Sequence, residues 1–373
     1  MPGKRTYRIA CLPGDGVGPE VTREALRILA EAGGRFGFNV VSEEFPVGGS
    51  AIDAFGVPLP EATAIACLES DAVLLGAVGG PAWDDLHGDL RPEAGLLRLR
   101  RTLGVYANLR PVTVPDFLAG ASPLRREVVA GTDMLIVREL TGGIYFAEPK
   151  GPVEGTQGKE ALNTMRYSET EIERIAHVAF TWARRRRSRV TSVDKANVLE
   201  VSQLWNDVVT KVHRAGYPDV ELEHLYIDNA AMQIVRRPSD FDVVVTANLF
   251  GDILSDLSAT LPGSLGLLPS ASVGGSTGLF EPVHGSAPDI AGEGKANPVA
   301  AVLSAAMMLE ELGEADAATA IREAVSGTLS AGVRTADMQE EGCRLVSTEE
   351  MGASIADHVR HAASKEQTVE VAA

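Results

Sequence analysis

The sequence predicts an α/β fold, because short apolar runs typical of strands alternate with longer segments of helical periodicity. Residues 7–12, 38–45 and 71–78 are apolar runs of strand length. Residues 59–68, and a segment that starts at Pro19, have the apolar spacing of helices. A chain of 373 residues, 45% of them hydrophobic, is globular and long enough for two lobes.

A strand that passes directly into a helix carries the main chemical signal. Residues 241–245 are the apolar strand, and Asn248 is expected to cap a helix on which Asp252 and Asp256 point the same way. Ligands collect at the carboxyl ends of strands in α/β proteins, so this pair is a candidate for binding a divalent cation. A solvated helix face is the alternative. The surrounding apolar residues favour a half-buried pair that needs a cation, and they are Leu249, Phe250, Ile253, Leu254 and Leu257.

A glycine-rich turn, PGDGVG at residues 13–18, connects the first predicted strand to the first predicted helix. A dinucleotide-binding fingerprint would need a third glycine where Pro19 stands, so the sequence argues against a Rossmann site. Two alternatives remain open. The glycines either let the backbone approach a ligand closely or form a simple turn.

Other charged residues occupy positions where α/β proteins place chemistry. Lys195 follows the predicted strand 190–194, and Asp228 follows the predicted strand 222–227. An ordinary surface lysine is the alternative for the first of these.

Arg100 and Arg110 accompany Leu96 and Leu97 in and just after a predicted helix. Arginine forks bind carboxylates, and leucines can accept an apolar substituent of the same ligand. An amphipathic helix with no ligand is the alternative explanation for this segment.

Composition argues against broad classes of partner. A formal charge of −17 opposes general affinity for nucleic acid or anionic membranes, so the basic run at residues 184–189 is interpreted as a solvated helix end. Three cysteines without metal-binding spacing predict a reduced protein without disulfides. The sequence shows no signal peptide and no membrane-spanning stretch, so a cytoplasmic location is expected.

Seven motifs, in order along nearly the whole chain, resemble those of the isocitrate/isopropylmalate dehydrogenase family. The members of this family are metal-dependent β-decarboxylating dehydrogenases. The motifs are LPGDGVGPEV, GLLRLRR with ANLRP, RELTGGIYF, SVDKANVLE, YIDNAAMQ, NLFGDILSD and EPVHGSAPDIAG. The resemblance implies a two-lobed α/β fold that is not a Rossmann fold. Residues 1–105 with 263–373 would form the cofactor-side lobe. Residues 106–262 would form the substrate, metal and dimerisation lobe, with an arm near residues 148–165 and the active site in the cleft.

The resemblance also implies roles for individual residues. Asp252 and Asp256, with the partner subunit's Asp228, would bind Mg²⁺ or Mn²⁺. Lys195 would take the proton of the substrate hydroxyl, and Tyr145 would protonate the enol carbon. Substrate binding is expected from Glu93, Leu96, Leu97, Arg100, Arg110, Arg138, Val198 and Asp228.

NAD is the cofactor that the resemblance implies, bound by loops and not by a Rossmann turn. Its expected contacts are His284, Gly285, Ser286, Ala287, Asp289, Ile290 and Asn297. The same resemblance implies a homodimer whose active sites draw residues from both subunits, with no nucleic-acid or membrane partner.

The expected reaction is the oxidative decarboxylation of 3-isopropylmalate in leucine biosynthesis, because Leu96, Leu97 and Val198 suit an isopropyl group. A sister enzyme acting on D-malate, tartrate, homoisocitrate or isocitrate is the alternative. A noncatalytic metal-binding protein would keep the two aspartates, but it has no need of Lys195 and Tyr145.

Overall fold

The computed structural model describes residues 4–155 and 158–361. The chain forms two compact units, one made of Met1–Leu99 with Leu279–Ala373 and the other of Arg100–Gly278. The first unit therefore contains both ends of the chain, and the second is a continuous insertion between its two parts.

Strands and helices follow one another in the alternating order that the sequence predicts. The first half contains β1 (Arg5–Gly14), α1 (Gly18–Phe36), β2 (Phe38–Glu44), α2 (Gly49–Phe55), α3 (Glu61–Leu68), β3 (Ala72–Ala77), α4 (Pro92–Leu103), β4 (Ala107–Val114), α5 (Arg126–Val129), β5 (Thr132–Glu139), β6 (Lys150–Gly155), β7 (Gly158–Asn163) and α6 (Glu169–Arg184). The second half contains β8 (Arg189–Asp194), α7 (Glu200–Gly216), β9 (Glu221–Tyr226), α8 (Ile227–Arg236), β10 (Val243–Thr246), α9 (Asn248–Ala259), β11 (Pro269–Val273), β12 (Gly278–Pro282), α10 (Val299–Glu311), α11 (Ala315–Ser330), β13 (Val333–Arg334), β14 (Arg344–Leu345) and α12 (Thr348–His361). The predicted α/β fold class is confirmed.

The first unit is built on a sheet with strand order β2-β1-β3-β12. β1 pairs in parallel with both β2 and β3, and every residue of β3 is buried. A fully buried run of this kind is typical of parallel strands covered on both faces. Helices α1, α10, α11 and α12 pack against one another and contribute most of their apolar residues to the core.

The second unit contains strands in the order β11-β4-β5-β10-β8-β9. β4 is antiparallel to its two neighbours, whereas β5, β10, β8 and β9 run parallel. In the parallel part, Thr246 at the end of β10 is paired with Arg138 of β5 and with Val193 of β8. The segments after these strands therefore start from the same edge of the sheet, where α/β proteins bind ligands.

The glycine-rich turn after β1 lets protein backbones approach one another. Gly14 and Gly16 have positive φ angles of 70° and 59°. A Cβ atom on Gly14 would lie 1.9 Å from the carbonyl oxygen of Ala77, and one on Gly16 would lie 1.9 Å from that of Ser286. At both glycines, the close approach is to the protein's own backbone.

Asp15, between these glycines, is a buried carboxylate that ties three segments together. Its side-chain oxygens accept hydrogen bonds from the backbone N–H groups of Gly49, Ser50 and Gly79, each at 2.7 Å. Gly49 and Ser50 start α2, so the carboxylate also satisfies amide groups that have no partner within that helix.

The predicted arm contains an antiparallel hairpin of β6 and β7, whose residues are exposed or partly exposed. Residues 156 and 157 of the arm lie outside the described part of the chain. The assignment of this hairpin to dimerisation stays a prediction.

The basic run at residues 184–189 is held by acidic side chains of its own unit. Arg184 pairs with Asp219, and Arg186 pairs with both Asp133 and Asp242. Arg189 pairs with Glu221 at 3.0 Å. These contacts support the interpretation of the run as structural. Across residues 4–155 and 158–361, no helix has the length and apolarity needed to cross a membrane.

Replacing Asp15 with alanine should lower the free energy of unfolding by about 3 kcal/mol or more, because hydrogen bonds to a charged group contribute about 1.5–3 kcal/mol each. The urea midpoint, followed by circular dichroism, measures the loss. Asp71→Ala is the matched control, since Asp71 accepts one exposed backbone hydrogen bond, from Arg8 at 2.7 Å. Equal shifts for the two variants would contradict the role given to Asp15.

Candidate active site

Helix α9 begins directly after β10 and carries both predicted metal ligands. The expectation that Asn248 caps this helix is wrong: Ala247 is the N-cap, and no side chain makes a capping hydrogen bond there. The side chain of Asn248 is turned instead toward Arg138 and toward the carbonyl oxygens of Leu140 and Gly142. Its amide is thus used in contacts with neighbouring segments and not in a local cap.

The two carboxylates of α9 differ in environment. The side chain of Asp252 is 36% exposed, whereas that of Asp256 is 69% exposed. The expected half-buried pair is therefore correct for Asp252 and wrong for Asp256 in the single chain. Ile253, one of the apolar residues expected to cover the pair, is itself exposed.

Asp252 is held ionised by the groups around it. It forms an ion pair with Arg138 and accepts a hydrogen bond of 2.8 Å from the hydroxyl of Tyr145. Burial disfavours the charged carboxylate, but the positive charge of Arg138 and the hydrogen bond from Tyr145 hold its pKa below the usual value. The charged form is the one that a metal ion binds.

Three arginines predicted from the sequence to bind carboxylates lie together in the second unit. Arg138 and Arg100 are buried, and burial together with the charges of Arg110 and Arg100 lowers the pKa of Arg138 to about 10. The guanidinium of Arg138 remains charged near neutral pH. A buried concentration of positive charge of this kind is suited to an anionic ligand with more than one carboxylate.

Arg110 is oriented by polar side chains of its own unit. Its Nε donates to Asn108 at 2.9 Å, and its Nη1 donates to Ser255 at 2.6 Å and to Asp256 at 3.3 Å. Asn108 in turn donates to Ser270 and Ser272 of β11. The guanidinium is therefore fixed from two sides, which is the arrangement that preorganised anion binding requires.

Tyr145 ends the short helical turn Gly143–Tyr145 that follows β5. Burial, the hydrogen bond to Asp252 and the charge of that carboxylate raise the pKa of Tyr145 to about 12. The phenol is thus protonated near neutral pH, as a proton donor must be.

Lys195 and Asp228 form a second, separate group. Lys195 follows β8, Asp228 lies in the first turn of α8, and the two side chains form an ion pair. The hydrogen bond from Lys195 holds the pKa of Asp228 below its usual value. Within the described residues of one chain, no cluster of three acidic, histidine or cysteine residues could hold a metal ion. The predicted three-aspartate set is thus not assembled by one subunit alone.

The residues expected to recognise the apolar substituent are only partly covered. Leu96 and Leu97 are half-buried on α4, and Glu93 is exposed near the start of that helix. Val198 is 65% exposed, so the single chain does not bury it in a pocket.

The predicted cofactor loop, residues 284–297, belongs to the first unit. Burial lowers the pKa of His284, and its buried Nε2 has no hydrogen-bond partner among the described residues. Beside it, a Cβ on Gly285 would meet no atom within 4 Å. An orphaned ring nitrogen retains an unused hydrogen-bonding site, which is what a contact with the adenine of NAD requires.

Other residues of this loop have structural environments. Asn297 donates to Asp337 at 3.0 Å and accepts from the amide of Val299, whereas Asp289 is exposed. Ser286 is buried, Ala287 has a positive φ angle of 40°, and Ile290 donates its backbone N–H to Ala287.

The start of α1 anchors the same loop. The backbone N–H of Val17 donates to the carbonyl of Ser286 at 2.8 Å. The carboxylate of Glu20 accepts hydrogen bonds from the backbone amides of Gly292 and Gly294. The LPGDGVGPEV segment is therefore a support of the predicted cofactor loop.

Sequence reasoning did not identify Glu139 and Tyr167 as parts of this site. Glu139 is fully buried and accepts hydrogen bonds from Thr141, Gly142 and Arg174. The hydroxyl of Tyr167 accepts a hydrogen bond of 2.8 Å from the backbone of Asn248. A charged residue at the end of a strand with an apolar centre was the available signal for Glu139. The sequence around Tyr167 carries no such signal.

The phenol of Tyr145 should remain protonated to about pH 11, because its pKa lies well above the ordinary phenol value of about 10. Phenolate absorbance of the wild-type protein minus that of Tyr145→Phe measures this titration. The same difference measured in an Asp252→Asn background should move to lower pH, since a negative charge beside the phenol has been removed. A wild-type difference curve centred near about pH 10 would contradict this environment.

The sequence matches the family model described as "Isocitrate/isopropylmalate dehydrogenase" over residues 8–355. The 3-isopropylmalate dehydrogenase of Salinibacter ruber is 65% identical over 356 residues, covering 95% of this chain and 96% of that protein. The 3-isopropylmalate dehydrogenase of Aquifex aeolicus is 56% identical, covering 95% and 98% of the two chains.

Solved structures agree with the sequence comparison. The crystal structure of isocitrate dehydrogenase from Methylococcus capsulatus has a TM-score of 0.84 at 35% identity and covers 95% of this chain and 99% of its own. The β-decarboxylating dehydrogenase of Thermococcus kodakarensis, in its apo form, has a TM-score of 0.77 at 38% identity, covering 95% and 96%. The resemblance found in the sequence motifs is confirmed, and this chain belongs to the isocitrate/isopropylmalate dehydrogenase family.

Proposed function

We propose that this protein catalyses the metal-dependent oxidative decarboxylation of (2R,3S)-3-isopropylmalate to 4-methyl-2-oxopentanoate and CO₂, with reduction of NAD, in leucine biosynthesis. The observation that carries the proposal is the group formed by Arg100, Arg110, Arg138, Asp252 and Tyr145 in one unit. It combines a receptor for carboxylates, a metal ligand and a proton donor. The similarity to 3-isopropylmalate dehydrogenases of other organisms supports this choice of substrate.

The arginines are assigned to the two carboxylates of the malate. A planar guanidinium group can donate two parallel hydrogen bonds to one carboxylate. This geometry sets the orientation of the substrate and also binds it. Leu96, Leu97 and Val198 are assigned to the isopropyl group, with Glu93 at its margin. Val198 is exposed in the single chain, so this assignment requires it to be covered in the assembled enzyme.

Asp252 and Asp256 are assigned as ligands of Mg²⁺ or Mn²⁺, because carboxylate oxygens are the donors that these hard cations prefer. When bound, the cation would supply Lewis-acid stabilisation of negative charge on the substrate's hydroxyl oxygen. Asp256 is exposed and within one helical turn of Asp252, so it is available to a cation. The partner subunit's Asp228 is proposed as the third carboxylate.

Two residues of the protein are assigned to proton transfer. The side-chain amine of Lys195 would accept the proton of the substrate's hydroxyl group. NAD, when bound, would supply the hydride acceptor for the carbon that carries this hydroxyl. Tyr145 would donate its phenol proton to the carbon that has lost CO₂. The raised pKa of Tyr145 keeps that proton in place until the carbanionic carbon forms.

NAD is assigned to the loop at residues 284–297, with His284 against adenine and Asp289 on the adenosine ribose. The orphaned Nε2 of His284 supports the first contact. A carboxylate at Asp289 would accept hydrogen bonds from ribose hydroxyls and would repel a 2′-phosphate, which favours NAD over NADP. Gly285, Ser286, Ala287, Ile290 and Asn297 would shape the rest of this site.

A homodimer with shared active sites completes the proposal. Lys195 and Asp228 are paired with each other, and within the described residues no hydrogen bond or ion pair links them to Asp252 or Tyr145. Supply of Lys195 and Asp228 by the second subunit would bring the two groups together. The same proposal includes a small, acidic substrate and a cytoplasmic location. It includes no nucleic-acid or membrane partner.

Steady-state kinetics should give the highest kcat/KM for 3-isopropylmalate with NAD. D-malate, which lacks the isopropyl group, should be at least about ten-fold poorer, since each buried methylene contributes about 1–3 kcal/mol to discrimination. Tartrate, homoisocitrate and isocitrate complete the series, and NADP replaces NAD in a parallel set. A preference for isocitrate, or equal use of the two cofactors, would refute the substrate or the cofactor assignment respectively.

Asp256→Asn should weaken Mn²⁺ binding by about ten-fold or more with little change in thermal stability, because its exposed ion pair with Arg110 contributes only about 0–1 kcal/mol. Calorimetric titration with Mn²⁺ measures the affinity independently of turnover. Asp240→Asn is the matched control, as Asp240 is an exposed aspartate paired with Arg237 at 3.4 Å. Equal Mn²⁺ affinity for both variants, or full activity in excess chelator, would contradict the metal assignment.

Mixed dimers of Lys195→Met and Tyr145→Phe test the shared site. In a mixed dimer one site would collect both substitutions and the other would be intact. Random pairing of equal amounts makes about half of all dimers mixed, so about a quarter of all sites should regain activity. Recovery near that fraction supports sharing. Inactivity of dimers shown to be mixed would mean that one chain supplies both residues of a site.

A further inference from the structure

We infer that Asn248 is a positioning residue, which fixes the orientation of Arg138 and of the loop that carries Tyr145 in a single hydrogen-bonded arrangement. The inference rests on the proposed function, since it concerns how that function's substrate arginine and proton donor are held. Asn248 is 1% exposed and is the first residue of α9, directly after the N-cap Ala247 and two residues after Thr246, where the buried strand β10 ends.

The side chain of Asn248 uses its full hydrogen-bonding capacity. Its Oδ1 accepts from Nε of Arg138 at 3.0 Å and from Nη2 of the same residue at 2.8 Å. Its Nδ2 donates to the carbonyl of Leu140 at 2.9 Å and to that of Gly142 at 3.1 Å. An amide has two acceptor sites and two donors, so no other residue type of this size satisfies all four partners.

One edge of the Arg138 guanidinium is occupied by this contact. Nε and Nη2 both point at Asn248, and Nη1 is the atom that pairs with Asp252. The side of the group that can meet a substrate carboxylate is therefore limited to Nη1 and the second N–H of Nη2. Since a guanidinium binds carboxylates through a rigid planar fork, fixing one edge also fixes the direction of the other.

The other half of Asn248 holds the backbone that leads to Tyr145. Leu140 and Gly142 immediately precede the turn Gly143–Tyr145, whose last residue donates its hydroxyl hydrogen to Asp252. Loss of the two bonds from Nδ2 would release this backbone from α9. The distance between the phenol and the reacting carbon depends on the same backbone.

Buried neighbours restrict the loop from its other sides. The carboxylate of Glu139 accepts from the N–H of Gly142 at 2.7 Å and from Arg174 at 3.1 Å. The ring of Tyr167 lies so close that a Cβ on Gly142 would be 2.5 Å from it, and a Cβ on Gly143 would be 2.6 Å from its hydroxyl oxygen. That hydroxyl accepts the backbone N–H of Asn248, so the loop and the start of α9 share one set of contacts.

Two substitutions separate the two halves of this role. Asn248→Asp keeps an acceptor for Arg138 but replaces the donor to Leu140 and Gly142 with a second oxygen. Asn248→Leu removes both sets of hydrogen bonds at similar size. Ser258→Ala is the matched control, because Ser258 is equally buried on α9 and its hydroxyl donates to the carbonyl of Leu254, one turn before it, at 2.7 Å.

The readouts are the calorimetric affinity of the purified protein for 3-isopropylmalate, its affinity for NAD, and kcat. Asn248→Asp should keep substrate affinity within about three-fold and lose kcat by about ten-fold or more, because only the Tyr145 loop is released. Asn248→Leu should lose both, each by about ten-fold or more. NAD affinity should not change, which distinguishes positioning from general unfolding. Ser258→Ala should match the wild type in all three.

A variant of Arg138 separates failure of this inference from failure of the proposed function. If Arg138→Gln binds and turns over 3-isopropylmalate as the wild type does, the function assigned to the site is wrong. If Arg138→Gln is impaired while Asn248→Asp has the kcat of Ser258→Ala, the positioning role of Asn248 is overturned. Should Asn248→Leu fail to fold, the isosteric Asn248→Asp alone decides between these outcomes.

Discussion

The rest of the candidate site depends on the ion pair between the buried guanidinium of Arg138 and the carboxylate of Asp252. Arg138 lies among other guanidinium groups in a buried environment where repulsion between like charges is weakly screened. Asp252 offsets part of that repulsion, and in doing so it is kept ionised. The remaining positive charge is available to an anionic substrate. The proposed binding of a dicarboxylate by the arginines and the proposed role of Asp252 as a charged metal ligand would thus both follow from one electrostatic balance.

The parallel arrangement of β5, β10 and β8 explains why residues far apart in sequence contribute to one region. Arg138 is the partner of Thr246 in the sheet, and Thr246 is also the partner of Val193. Only one residue, Ala247, separates Thr246 from Asn248, and only Asp194 separates Val193 from Lys195. Each strand therefore delivers a polar residue at this edge of the sheet with no long loop, which limits the conformational entropy lost in ordering it. Arg138 and Asn248 belong to the group around Asp252, whereas Lys195 belongs to the separate group that it forms with Asp228.

Elements with strong periodicity could be predicted from the sequence, because apolar spacing reports which face is buried. The predicted strand 38–45 is found as β2 (Phe38–Glu44), and the helix expected from Pro19 begins one residue earlier, at Gly18. Asn248 was misassigned as a cap because local sequence cannot reveal Arg138, which is 110 residues away along the chain. Val198 and Asp256 were expected in covered environments, yet one chain leaves them exposed. The apolarity and spacing of residues in a sequence do not reveal whether a residue is covered by its own chain or by another.

The support given by α1 to residues 284–297 bears on any exchange of this proposed cofactor loop between relatives. A transplanted loop would need a carbonyl facing the N–H of Val17 and two free amides facing Glu20. It would also need to follow the backbone that passes within Cβ distance of Gly16. The unit of exchange is therefore the loop together with the first turn of α1, two segments separated by most of the chain. Replacing the loop sequence alone would leave the new loop without matching contacts to the first turn of α1.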